Sequence, residues 1–383
     1  MARFLFTSSI QLNLHFRLGL METLRQQGHE VIAAAAFDGG EVRLQGRGIR
    51  CLPLANLERG GLKPWAEAAC LGELLRLYRR ERPDLVLNYT IKPVIYGSLA
   101  AALVGIPSLC TITGGGYALM RPGLLQLLVR RLYRLALRFP QAVFFQNRDD
   151  RDFFLQTGLV QAEKVRLVPG SGVNLDYYSP ERGGPTGQSA RQGAMVFLFI
   201  GRLLWDKGLG ELAAAAGRVR EQFPQVEVWA LGRPDPGNPA AIPEEQIRQW
   251  EREGRLRWLG WAEDVRPLIS QSEVVVLPSY REGIPRSLLE AMAMAKPIIT
   301  TDSIGCREVI EDGKNGLMVP ARNAEALAAA MRKMLALPAE QRREMGLYGR
   351  RKVEQEFDER LVIQAYLQEI DQILAQRGRV ASF

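Results

Sequence analysis

The sequence predicts an α/β protein made of two open, parallel-sheet domains, and three observations carry that expectation. The chain has 383 residues, enough for two domains that each bury a core. Short apolar runs alternate with amphipathic stretches along it, the pattern of repeated βα units. Finally, the apolar run Glu273–Leu277 leads into PSYREGIPRSLLEAMAMA (278–295), a loop and then a helix that Pro285 can start, because proline fits a first turn that needs no amide donor. In such sheets ligands sit outside the carboxyl ends of the strands, where helix N-termini offer free amides to anionic oxygens.

Arg3–Thr7 reads as the first strand, followed by a polar loop (Ser8, Ser9, Gln11, Asn13, His15), a helix over Phe16–Gln27 and a strand at Val31–Ala35. A helix over Trp65–Glu81, the strand Leu85–Asn88, a helix over Val94–Val104 and the strand Ser108–Thr113 come next. Gly114, Gly115 and Gly116 end that strand; they make either a flexible turn or a place where a ligand can approach the backbone closely. Within Arg121–Arg138, an advance of about 100° per residue puts Arg130, Arg131, Arg134 and Arg138 on one stripe and Leu125, Leu128, Leu132 and Leu135 opposite. Such a helix either packs on a core with its arginines in solvent, or lies on an anionic bilayer surface with the flanking leucines touching lipid.

Strands near Val143–Gln146 and Val165–Val168 complete the first domain, and RGGPTGQSARQG (182–193) has the composition of a linker. Met195–Ile200 opens the second, followed at once by Gly201, Arg202, Lys207 and Gly208. Two cations beside a helix start, with glycines admitting backbone, suit a diphosphate. Strands are expected at Glu227–Leu231 and Pro297–Thr301; Arg257–Trp261 and Asp264 lie between them, with Trp258 and Trp261 read as core aromatics. Asp312–Pro320 reads as a turn-rich, hairpin-like segment, and a last helix covers about Asp358–Ala375.

Composition narrows the function. No run of eighteen apolar residues is present, and the apolar part of MARFLFTSSIQLN is too short for a secretory signal, so the cytoplasm is the expected compartment. Cys51, Cys70, Cys110 and Cys306 lack both metal-ligand and disulfide spacing. The net charge of +8 lies wholly in the first 182 residues, which hold 23 Lys and Arg against 15 Asp and Glu. An anionic surface or a phosphorylated substrate fits that surplus; nucleic acid is not expected, since no recognised module accompanies the arginines. Asp149, Asp150 and Asp152 read as a charged helix start rather than a metal cluster.

At Glu282 and Glu290, separated by seven residues and preceded by Gly201-Arg202 and Lys207-Gly208, the chain resembles the retaining nucleotide-sugar glycosyltransferases of GT-B type, family 4 or group 1. The resemblance implies two Rossmann-like domains facing across a cleft: an acceptor-binding one (1–182), a nucleotide-sugar-binding one (183–357) and a C-terminal helix (358–383) returning to the first. It implies that Glu282, Arg202 and Lys207 are catalytic, with Glu282 on the donor sugar and the two cations on the departing phosphate. Gly201, Gly283, Ile284, Pro285, Arg286, Glu290 and Trp261 would hold the nucleotide sugar, Glu290 through the ribose. Ser9, His15, Arg17, Thr113, Gly114, Gly115 and Gly116 would lie on the acceptor side. No metal or other cofactor is implied, the UDP-sugar being a substrate. The stretches TITGGGYAL and SYREGIPRSLLEAMA look like bacterial enzymes that add an N-acetylhexosamine to undecaprenyl-diphosphate-linked saccharides in O-antigen, capsule or glycoprotein assembly, which places the chain on the inner face of the plasma membrane. Two competing expectations are a UDP-GlcNAc 2-epimerase-like isomerase of the same shape and a non-enzymatic nucleotide-sugar sensor.

Overall fold

The computed structural model describes residues 1–37, 39–57, 64–114, 123–184 and 193–380, the last four of these by backbone alone. Contacts divide the chain into two units, Met1–Ser171 with Arg360–Phe383, and Gly172–Glu359. The first carries strands β1 (Arg3–Ser8), β2 (Glu30–Ala35), β3 (Arg50–Pro53), β4 (Leu85–Tyr89), β5 (Ser108–Ile112), β6 (Ala142–Phe145) and β7 (Val165–Leu167) in one sheet ordered β3-β2-β1-β4-β5-β6-β7. Its strand pairs are all parallel. Apolar side chains pack on both faces, Phe4, Phe6 and Tyr89 on one and Leu5, Val86 and Cys70 on the other, as near-continuous apolar strands require.

The second unit repeats the plan with β8 (Met195–Ile200), β9 (Val226–Leu231), β10 (Arg257–Trp258), β11 (Val274–Leu277), β12 (Ile298–Thr301) and β13 (Gly316–Val319), ordered β10-β9-β8-β11-β12-β13 and again parallel. In each sheet the strand order reverses beside the first strand, between β1 and β4 and between β8 and β11. These switch points are where open α/β sheets hold ligands.

Several expected boundaries move. The polar loop after β1 contains a short helix, Gln11–His15, before the main helix Leu18–Gln26. The edge strand β3 has no counterpart among the expected strands; its RCLP sequence is too short and too exposed to show an apolar period. Gly316–Val319 is no hairpin but a parallel edge strand on β12. Residues 172–182 belong to the second unit rather than the first, because Val173 and Leu175 are buried in its core and Val173 pairs with Asp358. Arg266 and Arg350 also bind the carbonyls of Tyr177 and Tyr178 at 3.2 and 2.9 Å. The expected linker falls largely in residues 185–192, outside the described residues.

The final helix, Glu359–Val380, packs in the first unit from Arg360 onward. Tyr366 stacks on Phe144 with ring centroids 4.1 Å apart and shares a 2.6 Å hydrogen bond with Thr111, while Arg166 pairs with Glu369. Within described residues, no helix is long and apolar enough to cross a membrane.

Candidate active site

Three loops meet at the carboxyl edge of the second sheet. The first leaves β8 through Gly201 and Arg202, makes a turn at Trp205–Lys207, and enters the helix Leu209–Arg220 through Gly208, which has φ 71° and ψ 20°. The second leaves β11 as PSYREGI and enters the helix Arg286–Ala293, with Pro285 standing just before its first residue. The third follows β12 through Ser303 and Gly305.

Hydrogen bonds lace these loops together. The Tyr280 amide donates to the Asp206 carbonyl at 2.9 Å, and Ser279 Oγ donates to the same oxygen at 3.1 Å. The Glu282 amide donates to the Ile304 carbonyl at 2.9 Å, and Ser303 Oγ to the Ser279 carbonyl at 2.9 Å. Gly305, at φ 80°, passes so close to the carbonyls of Glu282 and Gly283 that a Cβ would collide with both. Only glycine fits there.

This lacing brings Lys207 and Glu282, 75 positions apart, into an ion pair with side chains 18% and 13% exposed. The acid and the cation expected to share a site do share one. Arg202 is held instead by Asp235, Nη1 to Oδ2 2.7 Å, on the RPDPG loop after β9. Glu290 lies in the second turn of its helix, 7% exposed, and accepts from Arg286 Nε at 3.0 Å. Burial, and then the Glu290 carboxylate beside it, push the Tyr178 hydroxyl well above the usual range, so it stays a donor toward that acid. Cys306 is raised by burial and by the charge of Glu282, which leaves it an inert thiol. Gly283 and Ile284 are buried beneath the loop.

Trp261 corrects one expectation. It is 55% exposed rather than buried in a core, and the Arg233 guanidinium lies over its ring at 4.2 Å. Trp258 is half-buried and donates its indole N–H to the Gly232 carbonyl at 2.9 Å. Asp235, Arg233 and Tyr178 were missed in the sequence, although the first two stand in a Pro- and Gly-rich loop directly after a strand, where ligand contacts gather.

In the first unit the expected acceptor residues surround the β1/β4 switch point unevenly. The Ser9 amide donates to Thr90 Oγ1 at 3.0 Å, and His15 Nε2 meets the Gly40 carbonyl at 3.0 Å. Arg17 is buried beside Tyr89. Thr113 and Gly114 are half-buried at the end of β5, and Gly115 and Gly116 lie outside the described residues.

Two parallel Rossmann-like sheets, the second with a cation and an acid converging on its switch point, define the architecture of the GT-B glycosyltransferases. A domain described as glycosyl transferase 4-like matches residues 16–170, and the family described as glycosyl transferases group 1 matches residues 194–336. An N-acetylgalactosaminyltransferase of Campylobacter jejuni acting on N,N'-diacetylbacillosaminyl-diphospho-undecaprenol is 26% identical over 94% of this chain and 96% of its own. An alpha-1,3-galactosyltransferase of Escherichia coli, named for UDP-Gal and GlcNAc-diphosphoundecaprenol, is 24% identical over 67% of this chain and 68% of its own. Among solved structures, Anabaena HepE in complex with UDP and glucose superposes with a TM-score of 0.79 at 20% identity, over 97% of this chain and 100% of that one. Sucrose-phosphate synthase from Thermosynechococcus elongatus gives 0.79 at 19% identity over 98% and 100%. The chain belongs to the group 1, family 4-like glycosyltransferases, and is an enzyme of that class rather than an isomerase or a sensor.

Proposed function

We propose that this enzyme moves an N-acetylhexosamine, with its anomeric configuration kept, from a UDP-sugar to a hydroxyl of a polyprenyl-diphosphate-linked saccharide during bacterial glycan assembly. The observation that carries the chemistry is the Lys207–Glu282 pair at the β8/β11 switch point. The named transferases of Campylobacter and Escherichia support the acceptor class.

On this reading the diphosphate lies against Lys207 and Arg202, Glu282 takes hydroxyls of the donor sugar, and Glu290 takes those of the ribose, since an ionised carboxylate is an acceptor only. Negative charge on the leaving phosphate grows as the glycosidic bond breaks, so fixed cations favour the charge-separated state over the bound substrate. The acceptor hydroxyl attacks from the same face and gives its proton to the departing phosphate oxygen. The two side-chain cations supply the positive charge, and no divalent ion is required. Exposed Trp261, with Arg233 on one face, offers a flat surface beside the base. Incubation with a panel of UDP-sugars and a lipid-linked acceptor extract, with and without EDTA, tests this by product mass. One added N-acetylhexosamine in both conditions is expected, whereas hydrolysis or epimerisation alone would overturn the reading.

The same reading places the enzyme peripherally on the inner face of the plasma membrane. In the helix Leu124–Ala136 the buried positions are Val129, Tyr133 and Ala136, not the expected leucine row. Leu124, Leu128 and Leu135 are 87, 48 and 45% exposed, and an advance of about 100° per residue puts them beside Arg131 rather than opposite it. Arg134 is tied to the carbonyls of Thr157 and Gly158, and Arg130 lies over Phe153, so Arg131 and Arg138 are the stripe members left to meet anionic headgroups. Leucines and arginines together make an interfacial face. With vesicles containing anionic lipid at low salt, the wild type is expected to float and a Leu128→Glu, Leu135→Glu double variant to stay at the bottom. Equal flotation of both would reject this face.

A further inference from the structure

The segment that enters the second unit at Gly172 is tied into that unit more firmly than a linker needs to be. Gly172 has φ 67°, and a Cβ there would collide with the backbone of Glu359. The Val173 amide donates to the Phe357 carbonyl at 2.9 Å, and the Glu359 amide to the Val173 carbonyl at 3.1 Å. Asn174 Nδ2 donates to Glu359 Oε1 at 2.6 Å, while Asn174 Oδ1 accepts from the Tyr177 amide at 2.7 Å. The Tyr178 amide closes the same turn on the Asn174 carbonyl at 2.9 Å.

Two arginines then clamp the pair of tyrosines. Arg350 Nη1 donates to the Tyr178 carbonyl at 2.9 Å and to the Ala293 carbonyl, at the end of the helix Arg286–Ala293, at 2.6 Å. Arg266, itself held by Asp264, lies over the Tyr177 ring at 3.8 Å and donates to the Tyr177 carbonyl at 3.2 Å. The Tyr178 ring meets that of Tyr177 edge-on, centroids 5.0 Å apart, and packs on the core of the unit. Its hydroxyl, kept protonated first by burial and then by the Glu290 charge, is hydrogen-bonded to the Glu290 carboxylate.

Glu290 is thus held by donors from separate elements. Arg286 lies one turn earlier on the same helix and moves with it. Tyr178 comes from a segment anchored independently at Glu359, Arg266 and Arg350, so it fixes which way the carboxylate points. A carboxylate has about four lone-pair sites, so it can hold donors from the protein and hydroxyls of a ribose at once, provided it is aimed at both. We propose, given the reading above in which Glu290 takes the ribose hydroxyls, that Tyr178 is a positioning residue that aims Glu290. The segment joining the two units thereby sets how strongly the second unit prefers a ribose-bearing nucleotide.

The test compares UDP with 2′,3′-dideoxy-UDP by calorimetry on the full-length protein. Wild type is expected to bind UDP more tightly, and Tyr178→Phe, which keeps the ring and its packing, should shrink that preference by about 5- to 30-fold. This is somewhat less than deleting a hydrogen bond to a charged group outright, because Arg286 still holds the carboxylate. Affinity for the dideoxy nucleotide should stay within about twofold, whereas a tyrosine that only supports the fold would weaken both ligands alike. Ribose contacts are the same in the ground and transition states, so the KM for the UDP-sugar should rise by a similar factor with kcat within about threefold. Glu290→Gln should also shrink the preference, and adding Tyr178→Phe to it should take away little more, as expected of two groups acting through one contact. A full preference in Tyr178→Phe beside a lost one in Glu290→Gln would overturn the role of Tyr178 alone. A full preference in Glu290→Gln, or none in wild type, would remove the ribose reading and this role with it. Additive losses in the double variant, or equal weakening of both nucleotides by Tyr178→Phe, would likewise overturn the role of Tyr178.

Discussion

Replacing Lys207 with Ala is expected to lower kcat by about 100- to 1,000-fold while changing the KM for the UDP-sugar by less than about tenfold. The range is that of removing one fixed donor aimed at charge developing in a transition state. The asymmetry follows from when the charge appears: on the proposed reading the ground-state diphosphate also meets Arg202 and backbone amides, whereas the extra charge on the leaving oxygen exists only as the bond breaks. Lys207 Nζ is fixed for that task by Glu282 and by the turn that ends in Gly208. Lys207→Arg should recover part of the rate, because a guanidinium keeps the charge but not the point geometry of an ammonium. Steady-state kinetics with a saturating acceptor, beside calorimetric UDP binding, separate the two parameters. An unchanged kcat would remove Lys207 from the chemistry, whatever its pairing with Glu282.

Much of this site was legible in the sequence because its parts are local. A buried strand reads as an unbroken apolar run, as in Met195–Ile200 and Val274–Leu277, and the loop after it carries the polar residues at fixed offsets. The strand β3 and the parallel placement of β13 were not legible. Short edge strands are partnered on one side and show little apolar period, so tertiary pairing alone creates them. The same limit applies to charge partners: Asp235 stands 33 positions from Arg202, and nothing local marks it as that cation's acceptor. Amphipathic periodicity placed the helix Leu124–Ala136 but left open whether its leucine row meets core or lipid. Three small or aromatic positions, Val129, Tyr133 and Ala136, meet the core there, and the larger leucine surface is left outside. A hydrophobic stripe shows that a face exists, not which partner covers it.

The second large effect is expected from Gly208→Ala, which removes nothing chemical and adds one methyl. At φ 71° an L-residue with a Cβ costs about 1–2 kcal/mol. The new Cβ would also sit far inside contact distance of the Pro278 carbonyl, a backbone group on the loop that carries Glu282. Backbone cannot swing aside as a side-chain tip can, so an overpacking cost of about 1–3 kcal/mol adds to the first. Together these predict a melting transition lower by about 4–20 °C for the second unit, using about 2–4 °C per kcal/mol for a unit of this size. The site should suffer beyond the stability loss. Relief of the collision requires the β8 and β11 loops to part, which opens the Asp206–Tyr280 hydrogen bond and separates Lys207 from Glu282. UDP should then stabilise the variant less than it stabilises wild type. Gly217→Ala is the matched comparison in the same helix: its Cβ would meet only the Arg255 side chain at ordinary distance, so a gain of about 0.5–1 kcal/mol is expected. Thermal melts with and without UDP check both variants. A Gly208→Ala protein that melts and binds like wild type would mean that the two loops do not cross at Pro278, and the convergence of cation and acid would lose its structural basis.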